Sequence, residues 1–222
     1  MTARSPDAAL TTLAAAAEGW GAPLDAAALE RVESYLRAVA QKNKTTNLTA
    51  DDAWDDLVLR HAADGVFAAA TLRRALGRGA ARVCDLGSGG GFIGVCLKIA
   101  WPEAQVTLME AVERKFKFLN AESVRLGLPG LRVLQRRAGD GRPYNAYESG
   151  FDAVVERALA PLEEALALAR PLLKRHGLFA AFQSVAAEPP LAGTRMRLLE
   201  SVAYRRPREA ADRFLVLYRA ED

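Results

Sequence analysis

Between residues 25 and 41, DAAALERVESYLRAVAQ, the apolar residues Leu29, Val32, Leu36 and Val39 recur at intervals of three and four, with charged residues between them. That is the period of an amphipathic helix, and Asp25 stands where a side-chain oxygen can cap the first free amides. The polar run KNKTTNLTA ends it, and Asp51 is the cap candidate for DDAWDDLVLRHAADGVFAAATLRRAL, one or two further helices before Gly77 and Gly79 break the pattern. The first eighty residues read as all-helical.

From residue 81 the period changes. ARVCDL is a short apolar strand, GSGGG a turn, and FIGVCLKIAW a helix followed by Pro102. AQVTLME, VERKFKFLNAESVRLG and LRVLQRR repeat the alternation, and so do FDAVVER, PLEEALALARPLLKR and GLFAAFQ. Such alternation predicts a mainly parallel sheet with helices on both faces. RLLESVAYRR and RFLVLYRA, joined by PREAAD, leave no room for a helical crossover, so they pair antiparallel at the sheet edge.

A chain of 222 residues suits one α/β core with an appended segment. We divide it into a helical extension over 1–80, packed on the core, and the core itself over 81–222. Alanine-rich runs such as Ala14–Ala17 are too short to span a bilayer. The first twenty residues carry Asp7 and Glu18 and no export-type apolar stretch, so they read as a mature cytoplasmic end. Cys84 and Cys96 have no CxxC spacing and no histidine pair nearby, which points to core packing and to no metal site. The net charge of +3 is gathered in clusters, at Arg73, Arg74, Arg78 and Arg82, at Arg136 and Arg137, and at Arg205, Arg206 and Arg208, compatible with an RNA partner.

Candidate chemistry centres on CDLGSGGGFIG, residues 84–94. Gly89, Gly91 and Gly94 satisfy G-x-G-x-x-G between a strand and a helix, and Glu110 ends the next strand, as in a dinucleotide site. Asp85 and Gly87 extend the pattern to D-x-G-x-G-x-G. A pyrophosphate disfavours a neighbouring anion, whereas S-adenosylmethionine carries an ammonium and a sulfonium and no phosphate, which suits Asp85. Glu110 can serve the ribose of either cofactor.

Several stretches together resemble the bacterial small-subunit ribosomal RNA guanine-N7 methyltransferase family (RsmG, or GidB): NKTTNLTA with Asn47, Leu48 and Thr49; RHAAD with Arg60, His61 and Asp64; DLGSGGGFIG; MEAVERKFKFL; RALAPL from Arg157; and RFLVL. The resemblance covers roughly residues 40 to 218. It implies a Rossmann-like class I S-adenosylmethionine-dependent methyltransferase fold, α/β with a mainly parallel sheet, an antiparallel C-terminal edge and an N-terminal helical extension. It implies S-adenosyl-L-methionine as methyl donor and the 530 loop of 16S ribosomal RNA as target. Gly87, Gly89 and Gly91 would line the methionine end of the cofactor, Glu110 would meet the ribose, Arg137 and Ala138 the adenine edge, and Arg157 the reacting end, as cofactor contact and catalytic residue. Asp85, Ser88, Phe92 and Ala111 would complete the cofactor contacts. The chain departs from the family at Ile93, where proline is usual, at Lys42 and Thr46, where an aromatic pair is common, at Gly139, where an acid is, and at Gln183 and Ser184, where a lysine follows the fifth strand.

Guanine N7 offers an in-plane lone pair and carries no proton, so transfer needs alignment and no general base. His61 and Asp64, one helical turn apart, read first as a cap or hydrogen-bonded pair that packs the extension on the sheet. Arg157 is either a ligand contact or one half of an ion pair with Glu156 or a neighbouring acid. Asn47 reads as a helix-end cap. Lys42, Lys44, Arg136, Arg137, Arg205 and Arg206 are the expected phosphate contacts, on a cytoplasmic protein working as a monomer. Two competing readings keep the fold: methylation of another substrate, and a non-catalytic RNA-binding assembly factor.

Overall fold

The computed structural model describes residues 7–77, 79–186 and 193–221; Arg78 of the first basic cluster lies outside them. Helices α1 (Ala8–Trp20) and α2 (Ala26–Thr46) are followed by a short α3 (Trp54–Asp56), a π-helical stretch (Leu57–Ala62) and α4 (Ala63–Leu76). The rest alternates: β1 (Arg82–Leu86), α5 (Phe92–Ala100), β2 (Gln105–Glu110), α6 (Glu113–Leu126), β3 (Leu131–Gln135), β4 (Phe151–Glu156), α7 (Leu162–Ala169), β5 (Leu173–Gln183), β6 (Met196–Arg205) and β7 (Asp212–Ala220).

The sheet order is β3-β2-β1-β4-β5-β7-β6. Strands β1 to β5 run parallel, and β7 inserts antiparallel between β5 and β6. This is the expected fold class. The order reverses between β2-β1 and β4, and in open sheets of this kind that switch point, at the carboxyl ends of the strands, is where ligands bind.

Because β1 to β5 are covered on both faces, their side chains feed two cores. One holds Val83, Val106 and Leu217 against Leu13, Val32, Leu36, Val66 and Leu97 from the helices. The other holds Leu86, Phe151, Val154 and Phe179 against Leu166 and Leu172. Cys84 and Cys96 are free and buried, one in each core. Burial pushes both thiols up, Cys96 to about 12, so neither is a nucleophile. Among the described residues no helix is long and apolar enough to cross a membrane.

Three boundaries differ from the sequence expectation. Helix α2 does not stop at residue 41 but continues to Thr46, because Lys42, Lys44 and Thr45 lie on its solvent face while Thr46 is buried. Its end is set by Asn47, which is left-handed at φ 51° and so is the cap. The Asn43 side chain then accepts from Leu48 N at 2.7 Å and Thr49 N at 3.0 Å, tying down the segment that follows. Asp51 caps no helix: Ala53 occupies that position and the Asp51 carboxylate is taken by His61. Helix α7 ends at Ala169, and PLLKR becomes a 3₁₀ turn and the start of β5. Pro171 cannot continue the helical ladder, and a register shift between Phe151 and Ala153 of β4 absorbs the extra residues of β5.

Gly65 lies inside α4, where helix propensity favours alanine by about 1 kcal/mol. The structure reverses that sign: a Cβ there would stand 2.7 Å from Cys96 Cβ and 2.8 Å from the Phe92 and Ile93 carbonyl oxygens. We therefore expect Gly65→Ala to destabilise the protein by about 1–3 kcal/mol, seen as a lower urea midpoint at unchanged slope. A raised midpoint would show that α4 and α5 pack less closely than the structure has them.

Candidate active site

Three strands at the switch point carry a carboxylate at or next to their carboxyl end that holds the backbone beyond. Asp85, next to last in β1, accepts the Gly94 amide of α5 at 2.9 Å. Glu110, the last residue of β2, accepts Gly89 N at 2.8 Å and Val112 N at 2.7 Å. Glu156, the last residue of β4, accepts Leu159 N at 3.1 Å. Between them the glycine turn runs left-handed at Gly87, Gly89 and Gly91, with φ of 70°, 58° and 83°, a backbone that residues with a side chain adopt at a cost. Tyr35 of α2 donates to the Gly90 carbonyl oxygen, so the helical extension also grips the turn.

Burial dominates the titration of two of these acids. It pushes Asp85 up to about 7, against the opposing Gly94 amide and Arg157 charge. It pushes Glu156 up to about 7 as well, the Leu159 amide opposing and Asp85 adding to the shift.

Two clefts open on either side of the turn. One, of about 530 Å³, is lined by Met109, Glu110, Ala111, Val112, Arg137 and Ala138. The other, of about 520 Å³, is lined by Asp51, His61, Asp85, Ser88, Phe92 and Arg157. Gly87, Gly89, Lys115 and Ala158 border both. The expected site residues thus fall into two groups on one continuous depression. Gly91 alone lies outside both, and a Cβ on it would point inward, 2.9 Å from the Tyr35 hydroxyl.

Arg157 does not pair with Glu156. Its Nη1 donates to Asp64 Oδ2 at 2.7 Å, and its Nη2 donates to His61 Nδ1 at 2.6 Å. His61 and Asp64 are therefore not a mutual pair; both reach across from the extension to the arginine that follows β4. Asp64 also accepts from Tyr204 Oη at 2.5 Å and from Arg206 Nε at 2.8 Å and Nη2 at 2.6 Å. Burial opposes its ionisation, but the Arg206 hydrogen bonds and the Arg157 charge hold its carboxyl below the ordinary range. Burial and the Arg157 charge bring His61 down to about 4, so its ring is neutral.

Two expected phosphate contacts are otherwise engaged. Arg136 is buried beside Asp140 at 3.0 Å and lies over the Tyr144 ring. Arg206 is buried against Asp64. Lys42, Lys44 and Arg137 are exposed, and Arg205 is an exposed partner of Asp212. Tyr35, Lys115 and Tyr204 escaped the sequence reading: Tyr35 and Tyr204 sit within apolar patterns, and Lys115 is one of several basic residues in ERKFK.

The geometry discriminates between the two cofactor classes that the glycine pattern left open. A pyrophosphate needs the free amides at the start of α5, and the Gly94 amide is already bound by the Asp85 carboxylate. A cationic, phosphate-free ligand is compatible with that carboxylate. Each Glu110 oxygen accepts one amide and retains a lone pair for a hydroxyl, while Met109, Val112 and Leu168 give the same cleft apolar walls.

The sequence profile of a family described as rRNA small subunit methyltransferase G matches residues 28–203. The ribosomal RNA small subunit methyltransferase G of Hydrogenovibrio crunogenus is 34% identical over 177 residues, spanning 80% of this chain and 77% of that protein. Its Dehalococcoides mccartyi counterpart is 33% identical over 151 residues, 68% of this chain and 63% of that protein. Among solved structures, the 1,6-didemethyltoxoflavin-N1-methyltransferase of Burkholderia thailandensis, with its bound 1,6-didemethyltoxoflavin and S-adenosylhomocysteine, superposes with a TM-score of 0.54 at 19% identity. It covers 90% of this chain and 92% of that one, a likeness of fold.

The raised pKa of Asp85 has a signed consequence. Its folded value, about 7, lies above its ordinary value of 3.8, so the native state binds more protons between those limits and loses stability as pH rises through them. Asparagine at this position keeps an acceptor for Gly94 and removes the buried charge. The melting temperature of Asp85→Asn, relative to the unsubstituted protein, should therefore rise from pH 5 to pH 8 without ligand. A difference independent of pH would mean that Asp85 is not the group titrating there.

Proposed function

We propose, from the premise that the chain belongs to the rRNA small subunit methyltransferase G family, that it methylates N7 of a guanine in the 530 loop of 16S ribosomal RNA. The coarser activity, S-adenosylmethionine-dependent methylation of small-subunit ribosomal RNA, comes with the family. The finer target follows the family resemblance, and one observation supports a site for two substrates: two clefts of similar size meet at Gly87 and Gly89, with Arg157 on the far side from Glu110.

In this reading Glu110 and Ala111 hold the ribose, Arg137 and Ala138 border the adenine, and Asp85, Gly87, Ser88 and Gly89 receive the methionine end. Phe92 and Arg157 face the acceptor base. The bound cofactor supplies an electrophilic methyl group on a sulfonium. The chain's own residues align and shield. Guanine N7 has no proton to lose, which agrees with a site whose histidine already has both ring nitrogens engaged. Positive charge arriving on the base meets Asp51 and Asp85, which line the acceptor cleft. The extension over 1–80 belongs to the same proposal, as a wall of the acceptor cleft built from Leu48, Thr49, Asp51 and His61. The protein acts as a monomer in the cytoplasm.

The deciding experiment is methyl transfer from labelled S-adenosylmethionine to small ribosomal subunits, and to naked 16S RNA lacking the modification, followed by nucleoside mass spectrometry. N7-methylguanosine within the 530 loop is the expected product. A different methylated nucleoside would move the target, and cofactor binding without RNA methylation would move the substrate class. Lys42 and Lys44 are exposed beside the segment that lines the acceptor cleft. Reversing both to glutamate should weaken RNA binding and reduce the slope of log K against log salt by about 1–2; an unchanged slope removes them from the RNA path.

A further inference from the structure

We propose that His61 is a positioning residue for Arg157, fixing its guanidinium in the orientation that serves the acceptor cleft; the inference rests on the methyltransferase reading above. The hydrogen bonding of the imidazole leaves no choice of tautomer. Its Nε2 lies 2.9 Å from Asp51 Oδ2, an acceptor, so Nε2 carries the proton. Its Nδ1 lies 2.6 Å from Arg157 Nη2, a donor, so Nδ1 offers its lone pair. An imidazolium could not make the second contact, and burial together with the Arg157 charge keeps the ring neutral.

The second contact matters because the first does not determine a plane. Held only at Asp64 Oδ2, the guanidinium could swing about the Nη1 bond. The bond to His61 at Nη2 removes that freedom. Two of the five N–H donors are committed to Asp64 and His61, and three remain for the cleft that Arg157 lines. The side chain is 20% exposed, so it is only partly open to the cleft.

His61 is itself oriented by the glycine turn. Its ring stacks on Phe92, the first residue of α5, with centroids 4.3 Å apart and planes at 25°. Arg157 Cζ is 6.0 Å from the centre of the same ring. The turn that receives the cofactor and the arginine that faces the acceptor are thus registered to each other through one histidine. The role is one of orientation and not of proton transfer, since the Nε2 proton is directed at Asp51 and the proposed nucleophile releases none.

The test is single-turnover methyl transfer to small ribosomal subunits by the unsubstituted protein, His61→Phe, His61→Asn, Arg157→Ala and the His61→Phe/Arg157→Ala double variant. Phenylalanine keeps a ring against Phe92 but cannot accept a hydrogen bond; asparagine returns an acceptor near the Nδ1 position. We expect His61→Phe to slow the reaction by about 30- to 100-fold, the range for a misplaced reacting group. His61→Asn should recover to within about tenfold of the unsubstituted rate, and His61→Phe should cost nothing further once Arg157 is alanine. Equal losses from His61→Phe in both backgrounds, or asparagine no better than phenylalanine, overturn the proposal. Side-chain ¹⁵N spectra of His61 separate its failure from that of the underlying reading: a protonated Nδ1 refutes the contact even in an active enzyme. An unprotonated Nδ1 in a protein that methylates no ribosomal RNA refutes the function, and the positioning role with it.

Discussion

Asp64 has no exposure to solvent, yet it is held as a carboxylate by two guanidinium groups and a phenol. An isolated buried charge would be strongly unfavourable, and the cluster is tolerated because every strong acceptor direction of the carboxylate is matched by a donor. The donors come from places far apart in the chain: Arg157 at the end of β4, and Tyr204 and Arg206 at the end of β6. Asp64 itself sits on α4 of the helical extension. One carboxylate therefore ties the extension to both the parallel centre and the antiparallel edge of the sheet, at the rim of the cleft lined by Asp51, His61 and Arg157. Removing one partner from such a cluster leaves a charge uncompensated, at about 3–5 kcal/mol, so its members are constrained together.

The same logic, with smaller charges, shapes the strand ends. Glu110 and Glu156 each satisfy an amide of the turn that follows, Glu110 also one of the glycine turn, and Asp85 an amide of α5, so the sheet ends in tight loops with these donors paired. The cost is visible at Asp85 and Glu156, whose burial favours the neutral form. A cation arriving in the cleft beside Asp85 relieves that cost, whereas a phosphate would aggravate it. The turn is thus selective by electrostatics before any side chain touches the ligand.

How much of this is legible in the chain depends on whether the signal is local. Period-two and period-3.6 patterns reveal the strands and helices because each element has one dominant buried face. The glycines, Asp85 and Glu110 announce themselves by spacing because a strand-turn-helix unit is contiguous. Arg136 and Arg137 look alike as neighbours, but in the segment after β3 one is buried beside Asp140 and over the Tyr144 ring while the other is exposed. His61 and Asp64 look like a pair because they are one turn apart; what unites them is Arg157, more than ninety residues later. Tyr35 occupies a core position of α2 by every local criterion, and only the tertiary fold brings its hydroxyl to the Gly90 carbonyl.

The departures from the family pattern can be weighed in the same terms. Ile93 replaces a proline in the first turn of α5, where a backbone N–H has no partner within the helix, so proline there removes nothing the helix uses. The shape of the turn is set instead by Gly91 at φ 83° and by the Asp85–Gly94 bond, both present here. Gln183, standing where a lysine is usual, pairs with Phe214 in the β5–β7 ladder and borders neither cleft. Neither change reaches the groups that would hold the cofactor. Ile93 borders the cleft proposed for the acceptor base, so its effect falls on that wall. Gly139, where an acid is common, borders instead the cleft proposed for the adenine, so the departures are not confined to one side of the glycine turn.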